Sequence, residues 1–276
     1  MIILVFIIGL AVGSFLNVYI MRTYEGRSPI RGRSKCDACQ RVLGIRDLIP
    51  IFSYIIVRGT CRTCSAPLTI QYPLVECAAG VLFAMSYAIV FPHGFFAVGI
   101  GDIVELTRLW FFLAVIIILF VYDWRWMVVP VIPTLVFAGI AYVLNGSFFQ
   151  SAAECSSFVA CAMNIGFLHY LVAGLVGALF FFVQYAISGG RWVGSGDIYL
   201  GLLFGFMVGY PGILAVLFFA YMIGAIASIV LMLFFGYGRK SAVPFGPFLA
   251  AATAIVLLAH DPLMRFIEHA FYLPFY

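Results

Sequence analysis

An all-α protein that crosses a membrane many times is what this sequence predicts, and three observations carry the prediction. Hydrophobic residues make up 65% of the chain and charged ones only 9%, against about 25% charged in an ordinary soluble domain. The apolar residues gather into eight runs, each near the ~20 residues needed to span a bilayer. The basic residues fall almost wholly between alternate runs. A soluble enzyme is therefore excluded. The formal net charge of +4 follows from membrane topology, with no nucleic-acid partner implied.

The runs lie at about 2–21, 74–92, 107–123, 128–144, 166–187, 198–210, 212–235 and 246–260. The first has no basic residue before it and Arg22 after it, the reverse of a secretory signal. It reads as a retained helix with its N-terminus outside. The sixth run is short, and Tyr210-Pro211-Gly212 turns it into the seventh. With the N-terminus outside, the loops 22–73, 123–128, 188–197 and 236–245 are cytosolic and hold 13 of the 15 Lys and Arg residues. That is the positive-inside distribution. Three regions follow: a first helix over 1–21, a cytosolic unit over 22–73 and a helical membrane region over 74–276. No internal repeat and no low-complexity tract stands out.

The cytosolic unit is too small to hold shape by its own core and needs a staple. Cys36-Asp37-Ala38-Cys39 and Cys61-Arg62-Thr63-Cys64 supply one: two Cys-x-x-Cys pairs 21 residues apart, the spacing of a tetrahedral four-cysteine site. Thiols in the cytosol stay reduced, so zinc is expected in place of disulfides. Four thiolates leave no open position, which makes such a zinc structural. Cys155 and Cys161 fall in an outer loop, where they can pair or stay free, and Cys77 is expected to be a small buried apolar residue.

The chemistry is expected at two aspartates. Asp123 and Asp197 stand at the edges of apolar runs, where an ionised carboxylate is costly and seldom kept without a use. Both fall at the cytosolic end of their segments. No histidine lies near either in sequence, and no serine or cysteine has a nucleophile's context, so aspartyl chemistry is the natural reading. Gly194 and Gly196 would let backbone approach Asp197 closely. Each acid also has a plain structural explanation: Asp197 as a helix N-cap, Asp123 as a partner of Arg125. Glu76 is explained by the dipole at the start of its helix. A proton- or cation-relaying transporter, or a scaffold without activity, would also use intramembrane acids, but the transporter gives no reason for a four-cysteine knuckle.

Six motifs occur in order: Gly13-Ser14-Phe15-Leu16-Asn17-Val18, the paired Cys-x-x-Cys, Tyr72-Pro73-Leu74-Val75-Glu76, Asp123, Gly194-Ser195-Gly196-Asp197 and Val243-Pro244-Phe245-Gly246-Pro247-Phe248. Together, over about residues 10–250, they resemble the bacterial type IV prepilin peptidases, Gly-x-Gly-Asp intramembrane aspartyl proteases. The resemblance implies a multi-pass protein of the bacterial inner membrane. It would cleave the basic leader of prepilins and pseudopilins, after a glycine, at the cytosolic membrane face, in service of a type IV pilus or type II secretion system. Many members then methylate the new N-terminus with S-adenosylmethionine. By position, Asp123 and Asp197 would be the catalytic pair, and Cys36, Cys39, Cys61 and Cys64 the zinc ligands. The turn holding Pro244 and Gly246 would help shape the site. Two positions depart from the family pattern: Tyr199 stands where a lysine is usual, and Val131 where an acid often follows Pro130. The basic loop 22–73 would repel a basic leader and is expected to meet anionic lipid.

Overall fold

The computed structural model describes residues 1–92, 99–148, 166–236, 238 and 243–259. Among them every regular element is helical, and eight of the helices are apolar: α1 (Ile2–Tyr24), α3 (Gln71–Val90), α4 (Ile100–Trp126), α5 (Val131–Phe148), α6 (Gly166–Ser188), α7 (Ser195–Val208), α8 (Gly212–Phe234) and α9 (Gly246–Leu258). A ninth, α2 (Phe52–Ile56), is a single short turn in the loop between α1 and α3. Five helices (α1, α3, α4, α6 and α8) are long and apolar enough to cross a membrane, while α5, α7 and α9 are shorter. Each apolar run of the sequence thus corresponds to one helix.

The chain divides into two compact units, Met1–Ile118 and Leu119–Tyr276, with α4 running through the boundary. In the first unit, α1 and α3 pack together through small residues. A methyl group on Gly9 would fall 2.7 Å from the Ala79 carbonyl oxygen, and one on Gly13 would fall 2.6 Å from Cα of Glu76. Glycines four apart let two helix backbones approach this closely, the usual device where lipid supplies no hydrophobic force between helices. Pro73 sits in the first turn of α3, where its missing N–H costs nothing. Trp110 of α4 stacks on Phe83 of α3 at 4.8 Å between ring centroids and donates its indole N–H to Ser86 Oγ at 3.0 Å.

In the second unit α7 is the central helix, packed by α5, α6, α8 and α9. Leu200, Leu203, Phe204 and Met207 are buried almost completely, so its 14 residues face protein on most sides. Gly201 and Gly205 again form a four-residue spacing, set against Gly177 and the Ala173 carbonyl of α6. The C-terminal carbonyls of α7 at Phe206 and Met207 accept from the side-chain amide of Asn145 at 2.6 and 3.1 Å. That pairing satisfies groups which a helix end would otherwise leave bare in an apolar setting.

Four expectations are corrected. The third run begins as helix at Ile100, seven residues earlier than the hydropathy suggests, because its charges pair along the helix: Arg108 donates to Glu105 at 2.5 Å, three residues away. Cys77 is exposed, since the packed stripe of α3 runs through Val75, Glu76, Ala79, Gly80 and Phe83 and leaves Cys77 off it. Hydropathy cannot separate a side chain facing lipid from one facing protein. Glu76 is the sixth residue of α3, beyond the reach of a terminal dipole, and its carboxylate accepts from the backbone N–H of Ile51 at 2.7 Å. A local repeat is also present, formed by the two cysteine knuckles described next.

Candidate active site

The two Cys-x-x-Cys segments fold alike. Lys35 bridges antiparallel to Val42, and Thr60 to Pro67. Cys36 N–H donates to the Arg41 carbonyl at 2.9 Å, and Cys61 N–H to the Ala66 carbonyl at 2.8 Å. The residue after each second cysteine turns to positive φ, 57° at Gln40 and 56° at Ser65. Every one of these features recurs at an offset of 25 positions, so the unit is a pair of equivalent knuckles. They bring the sulfurs of Cys36, Cys39, Cys61 and Cys64 within 4.8 Å of one another. Cys36 Sγ lies 3.8 Å from Cys64 Sγ. Zinc–sulfur bonds of about 2.3 Å place tetrahedral sulfurs about 3.8 Å apart, so the donor set fits zinc. Backbone N–H groups of Cys64 and Thr63 lower the Cys61 thiol to about 6, while the neighbouring thiol of Cys61 pushes that of Cys64 up to about 11. Asp47 ties the knuckles to each other: its carboxylate meets Arg41 of the first at 2.5 Å and Arg62 of the second at 3.1 Å.

The two aspartates lie in the second unit, and each is held by a glycine amide. Asp123 occupies the last turn of α4, which ends where Met127 turns to positive φ of 52°. Its Oδ2 accepts from the N–H of Gly246, the first residue of α9, at 2.8 Å. A methyl group on Gly246 would fall 2.5 Å from that oxygen, so a larger residue here would push against the carboxylate. Asp197 is the third residue of α7, and its Oδ2 accepts from the N–H of Gly194 at 2.9 Å. Gly194 is therefore the N-cap, and the carboxylate turns back to the helix start. This corrects the expectation of Asp197 itself as N-cap. Gly196 faces Val129, whose methyl would lie 2.7 Å from an added Cβ, so the start of α7 sits against the linker that follows Asp123. Both aspartates are buried, at 8% exposure each. Arg125 lies with its guanidinium 5.0 Å from the Trp126 ring centroid.

Aromatic contacts fix the loop that carries Gly246. Phe245 lies 4.9 Å from Tyr221 of α8, 5.8 Å from Phe181 of α6 and 6.4 Å from Phe248. Tyr221 donates to Gln184 at 2.7 Å. Sequence reasoning passes over both Tyr221 and Gln184. Two hydrogen-bonding side chains in otherwise apolar runs are the one signal that marks them. Pro244 precedes this loop, and Pro247 occupies the first turn of α9. Val131 opens α5, and Tyr199 lies half-buried in the first turns of α7. Cys155 and Cys161 lie outside the described residues.

Residues 7–90 match the model of the Bacterial Peptidase A24 N-terminal domain. Over 95% of its length the chain is 30% identical to a prepilin leader peptidase/N-methyltransferase of Bacillus subtilis (strain 168), covering 96% of that protein. It is 31% identical to the enzyme of that name from Myxococcus xanthus (strain DK1622), over 83% of this chain and 62% of the other. Against that of Aeromonas hydrophila it is 28% identical, over 95% of this chain and 92% of the other. No solved structure matches the chain. A likeness that runs nearly end to end in both chains places this protein in the prepilin leader peptidase/N-methyltransferase family.

Proposed function

We propose that this multi-pass protein of the bacterial inner membrane cleaves the leader peptide from prepilins or pseudopilins, with Asp123 and Asp197 as the catalytic pair. The relatives' name supports the reaction. The observation that supports the pair is that two buried aspartates, 74 positions apart, each accept from a glycine N–H, with the start of α7 seated against the linker that follows Asp123. A buried acid in a membrane segment is kept for use.

In the reaction, one carboxylate holds a proton and the other takes one from a water placed between them. The water oxygen attacks the scissile carbonyl carbon. The held proton passes to the departing nitrogen as the carbon–nitrogen bond breaks, leaving a leader carboxylate and a new N-terminal amine. The glycine amides keep one oxygen of each acid engaged, which fixes where the other points. Gly194 and Gly246 serve as positioning residues of this kind, while Gly196 lets the start of α7 sit against Val129 and Pro244 leads into the turn that carries Gly246.

The four cysteines would hold zinc as a structural ion that fixes the knuckles. N-methylation of the new amine would draw its methyl group from S-adenosylmethionine. The first unit holds a cavity of about 190 Å³, lined among others by Glu25, Glu76, Lys35, Arg33 and Tyr54. Incubating purified protein with a synthetic prepilin tests the proposal: cleavage should occur in the wild type and vanish in Asp123→Asn and Asp197→Asn. Unchanged cleavage in either variant would refute the assignment.

A further inference from the structure

The short helix α2 is amphipathic the wrong way round for a water-facing loop. Ser53, Tyr54 and Val57 line the cavity of the first unit. Phe52, Ile55 and Ile56, which share the other face at i, i+3 and i+4, are exposed at 63%, 64% and 70%. Ile45 and Ile49, just before them, are exposed too. A soluble surface rarely gathers so many large apolar side chains in so short a stretch without a partner.

Their depth is set by a hydrogen bond. Ile51, the residue before α2, turns at φ 58°, a conformation a β-branched residue adopts only when its surroundings hold it. Glu76 holds it, at 2.7 Å. Glu76 is five residues into α3, so this contact lies about 7.5 Å along the helix from its first residue. Its neighbour Leu74 is itself 60% exposed on α3, as a lipid-facing side chain would be. The chain entering α2 is thereby drawn down beside a membrane helix. The surrounding segment 22–73 carries nine basic residues against three acidic ones, and Arg46 and Arg58 flank the apolar face directly, both exposed.

We propose that α2 and its approach, residues 45–56, form a foot embedded in the cytosolic leaflet. Phe52, Ile55 and Ile56 enter the boundary between headgroups and acyl chains, and Arg46 and Arg58 engage anionic lipid phosphates. The apolar face supplies burial, while the arginines supply attraction to an anionic surface. The foot rests on the cytosolic placement of the loop but not on the peptidase assignment.

The test uses the full-length, zinc-loaded protein in nanodiscs of phosphatidylcholine and phosphatidylglycerol, with bromine on acyl carbons near the glycerol. Ile55→Trp should show added emission over the wild type in unbrominated discs, lose it in brominated ones and resist quenching by acrylamide. Ala38→Trp, on the first knuckle, should behave oppositely. In Arg46→Gln/Arg58→Gln the loss at position 55 should shrink and no longer depend on phosphatidylglycerol. Zinc content, measured in every variant, shows that the knuckles remain folded. A position-55 signal open to acrylamide would overturn the foot. So would one shielded from both quenchers, which would mean a protein surface covers it. An emission loss that ignores lipid charge and both arginines would overturn their role. No prepilin enters the measurement, so it stands or falls apart from the cleavage reaction.

Discussion

Gly246 donates its backbone N–H to Oδ2 of Asp123 across 2.8 Å, joining the start of the last described helix to an acid 123 positions earlier. This contact makes Gly246→Ala a sharp probe. The added methyl would lie 2.5 Å from the carboxylate, which must turn away or lose its donor. Cleavage should fall by about two orders of magnitude, as expected when a catalytic group is misplaced by an ångström. Thermal stability should change far less. Steady-state assay with a synthetic prepilin, beside a melting curve, separates the two effects.

The zinc knuckles should behave as a folding unit. Cys36→Ser or Cys64→Ser removes one of four donors, so bound zinc should drop well below one per chain and the cytosolic loop should become open to protease. Metal analysis of protein purified without added metal checks it. Wild-type protein that is fully active, metal-free and carries four titratable thiols here would rule the site out.

Asp47 gives a graded version of that experiment. It links an arginine of each knuckle and is only partly exposed, so Asp47→Asn should cost on the order of 1 kcal/mol and speed zinc loss to a chelator. Leader cleavage should stay near the wild-type rate. Asp102→Asn, whose carboxylate only meets the Gly99 N–H at an exposed helix start, should change neither quantity.

Cys155 and Cys161 are expected across the bilayer from the chemistry. A double serine variant should cleave at close to the wild-type rate. Loss of most activity in a folded double variant would reverse the assumed topology.

Much of this architecture was legible because lipid imposes a simple code. Each of the eight apolar runs became a helix, and the Cys-x-x-Cys spacing located four sulfurs within 4.8 Å. The ends were harder to read. Glu105 lies before the third run in a hydropathy profile, yet it sits within α4, paired with Arg108. Cys77 was misplaced because an apolar side chain toward lipid reads the same as one toward protein. At the site, Asp123 and Asp197 stood out as rare charges. Gly194, the donor to Asp197, lies in the local Gly-x-Gly-Asp motif, whereas Gly246 is far from Asp123 in sequence and Glu76 reaches a backbone amide 25 positions away. Tyr221 and Gln184 were hidden inside runs that otherwise speak only of burial.

The catalytic pair is the central claim, and one comparison tests it most directly. Initial rates of prepilin cleavage are measured for wild type, Asp123→Asn, Asp197→Asn and the double variant in the same membrane mimetic, with zinc content confirming the fold. Each single variant should lose cleavage altogether. The double should be no worse than either, because two groups acting as one unit are lost together. The wild-type rate should fall at both low and high pH, since the pair works with one shared proton. A single variant that still cuts near the wild-type rate would contradict the aspartyl mechanism for this protein.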